Sequence, residues 1–313
     1  MPACKSRTLS GTLSVMNAWP ELPLADWIDT KNTLHRWTQI VGKIRMALTP
    51  LVNHWWNVPL YATARGLTTS MIPYGDRWLD MELDFVSHVL HIRTSDGAEH
   101  GVPLGPRSVA DLHDEIFSVL KSLRIDCRIW PMPVEIAENV IPLDRDHHHR
   151  SYDRDAVERF WRILALTDAV FTKFRAEYLG KCSPVHFFWG SFDLAVTRFS
   201  GRPAPVKPDA DPITREAYSH EVSSVGWWPG DSRLELPAFY SYAAPEPPGF
   251  RSAAVAPPST YYSEPLGGFY LHYDDVRQSP DPEKALLDFC HTTYAAAADL
   301  GGWDRGALER RTQ

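Results

Sequence analysis

Apolar positions first recur at helical spacing. Between Trp27 and Thr49, Leu34, Trp37, Val41, Ile44 and Leu48 return every three or four residues and Pro50 ends the run, which predicts an amphipathic helix. Near-alternation follows over Trp56 to Ala62, Leu67 to Pro73, Met81 to Phe85 and Val89 to Thr94, broken at Gly66, Gly75 and the Asp96-Gly97 turn, as in an antiparallel meander. Helical spacing resumes from Ser108, a capping residue, to about Leu123, and a strand over Cys127 to Val134 is expected to close the half.

The layout then starts again. Asp153 caps a predicted helix to about Tyr178, with Val157, Phe160, Trp161, Leu164, Phe171 and Phe174 on its apolar face and Gly180 placed to stop it. Strands are predicted at His186 to Phe199, Glu216 to Val225, Ala238 to Ala243 and Phe269 to Tyr273, then a helix from Asp281-Pro282 to about Leu300. The fold class is therefore α+β, with two similar halves of helix, antiparallel strands and helix, read as a duplication. Boundaries fall at a tail over 1–18, a first half over 19–137, a surface linker over 138–152, a second half over 153–303 and a tail over 304–313. The second half alone has long Pro-rich loops, Arg202 to Pro212 and Ala244 to Pro265.

Composition narrows the function classes. With a net charge of -7 and Lys and Arg scattered, the 313-residue chain has no basic footprint for nucleic acid. No apolar run is long enough to cross a membrane and no export signal is read, so a cytoplasmic protein is expected. Cys4, Cys127, Cys182 and Cys290 are too dispersed for a zinc ribbon or a disulfide scaffold. The glycines form no phosphate loop, so NAD and ATP are unsupported and the cofactor is left unknown.

The stretch Ser183 to Arg202, with His186-Phe187-Phe188-Trp189-Gly190-Ser191-Phe192-Asp193, resembles the signature of an uncharacterised bacterial family catalogued as domain of unknown function 5996. Glu216 to Ser224, Trp19 to Leu24 and Val58 to Pro73 are similar too, so the resemblance covers nearly the whole chain. It implies no activity, cofactor or catalytic residue.

Chemistry is sought in the strands of mixed polarity. His186 to Phe199, read as one strand with a possible bulge at Gly190, and Glu216 to Val225 would form a hairpin that gathers polar groups among aromatic walls, the usual character of a small-molecule pocket. His220, Asp193 and Glu221 are the acid–base candidates, with His220 and Asp193 the more coherent couple. His186, Trp189, Arg198 and Tyr218 are the ligand-binding candidates, and Arg65, Arg198 or Arg215 would clamp an anionic group. No metal is favoured. His186 and His220, with His147 to His149, are weak candidates that lack a diagnostic spacing. Cys182 or Ser183, beside Lys181 and His186, is a further nucleophile candidate. The expectation is a small-molecule-binding protein with possible His/carboxylate chemistry on a polar-aromatic or anionic substrate. Its alternative is a non-catalytic protein-interaction module whose polar strand residues are structural. Oligomeric state is not readable.

Overall fold

A computed structural model describes residues 19–136, 138–205 and 208–310. The tail over 1–18 with Cys4, and positions 206–207 of the first Pro-rich loop, lie outside them.

Helix α1 (Leu24–Leu48) leads into a six-stranded antiparallel sheet of β1 (Tyr61–Ala62), β2 (Gly66–Thr68), β3 (Ile72–Tyr74), β4 (Arg77–Asp84), β5 (Val89–Thr94) and β6 (Glu99–Pro103). Helix α2 (Val109–Ser122) follows, capped by the Ser108 hydroxyl, which accepts the Asp111 N–H. The second half holds α3 (Arg154–Ala176), β7 (His186–Phe188), β8 (Asp193–Pro203), α4 (Pro212–Ala217), β9 (His220–Trp228), β10 (Ala238–Ala244), β11 (Tyr261–Ser263) and β12 (Gly268–His272). Helices α5 (Tyr273–Arg277), α6 (Pro282–Leu300) and α7 (Arg305–Leu308) end it. Its sheet runs β11-β12-β10-β9-β8-β7, a near-sequential meander like the first. The class is α+β.

Four sequence expectations change. The segment Cys127 to Val134 is extended but pairs with no strand among the described residues. The strand expected over His186 to Phe199 is folded in two at Trp189 to Phe192, so β7 and β8 form a hairpin that pairs His186 with Ala195 and Phe188 with Asp193. The strand expected from Glu216 starts at His220, because Asp211 caps α4 and Pro212 opens it. The 138–152 linker is not wholly on the surface, since Leu143 and Asp146 are fully buried and His149 nearly so.

One apolar core runs through both halves, joining Trp37, Ile40, Val41 and Ile44 of α1 to Phe160 of α3, Phe187, Leu194 and Trp227. Leu60 pairs with Phe187 and bridges the two sheets. Helix α1 is consequently surrounded: from Thr30 to Arg45 every residue but Asn32 is buried, although Lys31, His35, Arg36, Gln39 and Lys43 interrupt its apolar stripe. It is amphipathic in sequence, yet both of its faces are covered.

Candidate functional site

Strand pairing sorts the second sheet into two faces. Leu194, Val196, Arg198, Val225 and Trp227 lie against α3 and α6, while Asp193, Ala195, Thr197, Ser224, Gly226, Tyr240 and Tyr242 point the other way. That second face is buried without being apolar. The Tyr240 hydroxyl and the Ser191 hydroxyl both donate to the Asp193 carboxylate. Thr197 and Ser224 share a hydrogen bond of 2.9 Å, and the hydroxyls of Tyr218 and Tyr242 one of 3.0 Å. Gly226 makes room for this, because a Cβ there would stand 2.3 Å from the Tyr240 ring. Burial pushes the Asp193 carboxyl up to about 6, against the two hydroxyl donors that favour its charged form.

Ser191 also lines a cavity of about 1070 Å³ between the N-terminal half of α1, the residues Glu135, Ile136, Glu138 and Asn139, and the loop after Trp228. Leu24, Ile28, Trp228 and Leu236 give it apolar wall, and Lys31, Asn32, His35, Arg36, Glu135 and Arg233 polar wall. On α1 the spacing of four puts Lys31 and His35 on one stripe, with Arg36 beside them. Each is held differently. His35 Nε2 donates to the Gly190 carbonyl at 2.8 Å, its ring lies over Phe192, and burial drives it down to about 3, so it is neutral. Arg36 lies 3.2 Å from Asp146, whose carboxylate also takes the backbone N–H groups of His148 and His149 and the His149 ring at 2.7 Å. Lys31 is 5% exposed and has no hydrogen bond or ion pair among the described residues. Burial and the nearby Arg36 bring its ammonium down to about 8, with Asp231 opposing.

Glu135 lines the same cavity. It sits at φ 56, and its carboxylate lies so close over Gly190 that a Cβ there would meet Oε1 at 2.4 Å. Desolvation and the Asp193 carboxylate raise its pKa. One carboxyl with a raised pKa thus lines the cavity that Lys31, an amine with a lowered one, also lines, and a second stands a single hydroxyl behind the wall. Such displacement away from solution values marks groups suited to proton transfer.

The structure scatters the residues that the sequence put forward. Asp193 stands behind the pocket wall, accepting from the lining Ser191. His220 lies eight residues along β9 from Trp228, the neighbour of Asp193, or about 26 Å, so no His220–Asp193 couple forms. His220 instead meets the ring of His54, with Ser219 at 3.0 Å from its Nδ1. Glu221 pairs with Arg202, which also grips the carbonyls of Gly301 and Gly302. Arg198 is buried on the helix side under Phe174 and Tyr294, donating to the Phe174 carbonyl. Trp189 lies flat on Gly42 and donates to the Val58 carbonyl at 2.7 Å, clamping α1. His186 is enclosed by Trp56, Tyr61 and Phe188, and neither ring nitrogen has a protein partner among the described residues. Tyr218 belongs to the hydroxyl row. Arg65 pairs with Asp84 and Arg215 with the Ala210 carbonyl, both away from the cavity. Burial raises the Cys182 thiol to about 11, which does not favour a thiolate. Among the described residues no three His, Cys, Asp or Glu side chains converge as a metal shell.

Lys31, His35, Arg36, Glu135 and Tyr240 were not singled out by sequence reasoning as site residues. One signal was present: after Asp29, α1 contains no acidic residue, whereas a solvated helix face usually interleaves Glu with Lys.

Fold and cavity together define an α+β protein with a large pocket of mixed polarity, walled by both halves of one chain. The chain belongs to a family of unknown function (DUF5996), whose model matches residues 19–310. No curated protein and no solved structure matches it.

Proposed function

We infer that the chain binds a small molecule of mixed apolar and polar character in the cavity between α1 and the 228–236 loop. The observation that supports this most directly is Lys31, an almost fully buried amine that lines the cavity with no hydrogen bond or ion pair among the described residues. Keeping an unpaired ammonium out of water costs several kcal/mol, and a ligand group that meets it recovers part of that cost. Acid–base chemistry in this reading comes from Lys31, Glu135 and Asp193, with neutral His35 as a positioning donor. His220 and Glu221 stand outside it. Free thiols at Cys127, Cys182 and Cys290 fit a reducing, cytoplasmic setting, and the shared helix–sheet–helix order fits an ancient duplication.

The test is a thermal-shift screen of metabolites on the wild type and on Lys31→Met. At a ligand concentration 100 times Kd the wild type gains about 2.7 kcal/mol. The reading expects at least one compound that stabilises the wild type and loses most of its effect on the variant. Stabilisers that act equally on both would place the site elsewhere.

A further inference from the structure

We propose that the ε-amine of Lys31 condenses with the carbonyl carbon of a small aldehyde or 2-oxo acid admitted to the cavity. This deepens the pocket reading above and rests on it. A lysine that only anchored an anion would be served by a paired, extended position near solvent. Lys31 instead lies on an enclosed helix, with no carboxylate in ion-pair contact among the described residues and with the Arg36 cation five residues on.

The groups around it divide by effect. Burial, with Arg36 and Arg233, drives the proton off the amine, while Asp231 and Glu138 hold it on; neutral His35 and the Glu135 carboxyl also line the cavity. The balance leaves a far larger share of free amine at neutral pH than an exposed lysine has. An amine beside a second cation in a desolvated pocket is a recognised way to activate lysine as a nucleophile.

The step balances without an added oxidant or reductant. The Lys31 nitrogen forms a bond to the carbonyl carbon and the C=O π pair moves to oxygen, which takes a proton, giving the carbinolamine as nitrogen loses one. The C–O bond then breaks, water leaves with the second proton, and an imine remains. Glu135, which lines the same cavity and whose pKa burial raises above the usual carboxylate range, is the group assigned to lend and retrieve these protons. The apolar wall of Leu24, Ile28, Trp228 and Leu236 favours the dehydration.

Glyoxylate is the probe. Full-length protein is treated with glyoxylate and sodium cyanoborohydride, digested, and mapped for carboxymethylated lysines across pH 6 to 10. The proposal expects the Lys31 peptide to be labelled at least about tenfold faster at pH 7 than the exposed Lys121, Lys173 and Lys284, with a midpoint near pH 8. Lys43 is the internal control. It is equally buried and brought down to about 8, but lies between the rings of Trp130 and Trp189. Labelling that follows exposure, or that is as fast at Lys43 as at Lys31, would overturn the proposal. Metabolite stabilisation that Lys31→Met loses, with no trapped adduct on Lys31, sinks the amine chemistry and leaves the pocket reading. An adduct on Lys31 that Glu135→Gln slows, in a protein no metabolite stabilises, does the reverse.

Discussion

The two sheets are both antiparallel meanders, yet they spend their polar residues differently. In the first, β4 and β5 alternate cleanly: Leu79, Met81, Leu83, Leu90 and Ile92 face the core, while Asp80, Glu82 and Arg93 form an ion-pair lattice on the outer face. In the second, β9 is buried from Val222 to Trp228 on both faces, and the face away from the helices carries Asp193, Thr197, Ser224, Tyr240 and Tyr242. A sheet with one wet face needs only an alternating pattern. A sheet covered on both sides can keep polar groups only by pairing them with one another, and that expensive arrangement is found beside the cavity.

Acid should separate the sheets most sharply. His186 is fully buried, and burial together with Arg45 and Arg175 brings its pKa from 6.5 to about 3. The unfolded chain therefore binds a proton that the native state refuses between these values. Stability present above pH 6.5 is lost as pH falls toward 3, by as much as roughly 4 kcal/mol. Chemical denaturation of His186→Phe from pH 7 to 4 should show a clearly shallower decline than the wild type. Equal slopes would mean that His186 is hydrated in the native protein.

A methyl group probes packing in the two sheets. At Gly226 it would meet the Tyr240 ring at 2.3 Å, whereas at Gly101 in β6 it would meet a flexible Val89 methyl at 3.1 Å. Gly226→Ala should cost about 2 to 3 kcal/mol in urea titrations and Gly101→Ala less than about 1. Similar costs would show that the second face is no more tightly built than the first.

The smallest effect expected has the opposite sign. Because Asp193 titrates near 6 in the native state and near 3.8 unfolded, its contribution is favourable at low pH and declines as pH rises through 6. Asp193→Asn should raise stability by about 1 kcal/mol at pH 7 and bring no gain at pH 4. Destabilisation at both pH values would make the carboxylate an architectural acceptor for Tyr240 and Ser191 first.

The helices were legible because periodicity and caps agree locally. Ser108 and Asp153 cap as read, and Asp281-Pro282 opens α6 where predicted. The β7–β8 hairpin was not, since its turn has no Asn-Gly or Asp-Gly pair. It relies on Phe192 at φ 61, a conformation tolerated because the ring stacks on Phe160 and beside Phe187. Cys127 to Val134 reads as a strand by composition, but its hydrogen bonds go elsewhere: Val134 exchanges two with the Gln39 side chain. The cavity was hidden for a related reason. A polar stripe on a helix looks the same in sequence whether it meets water or a pocket, and only the surrounding fold decides. Asp193 was found because a lone carboxylate amid aromatic residues is conspicuous in a strand.

The 138–152 connection now has a role beyond joining two halves. Asp146 in it ties Arg36 of α1 to His149, which itself lines the cavity, and the carbonyls of Glu138 and Asn139 receive the other side of the Arg36 guanidinium. The halves are therefore not interchangeable modules on a string. A cut or an insertion between Glu138 and His149 would dismantle a wall as well as lengthen a tether. Circular permutation should be far better tolerated at the exposed Asp96-Gly97 turn, which touches no part of that enclosure.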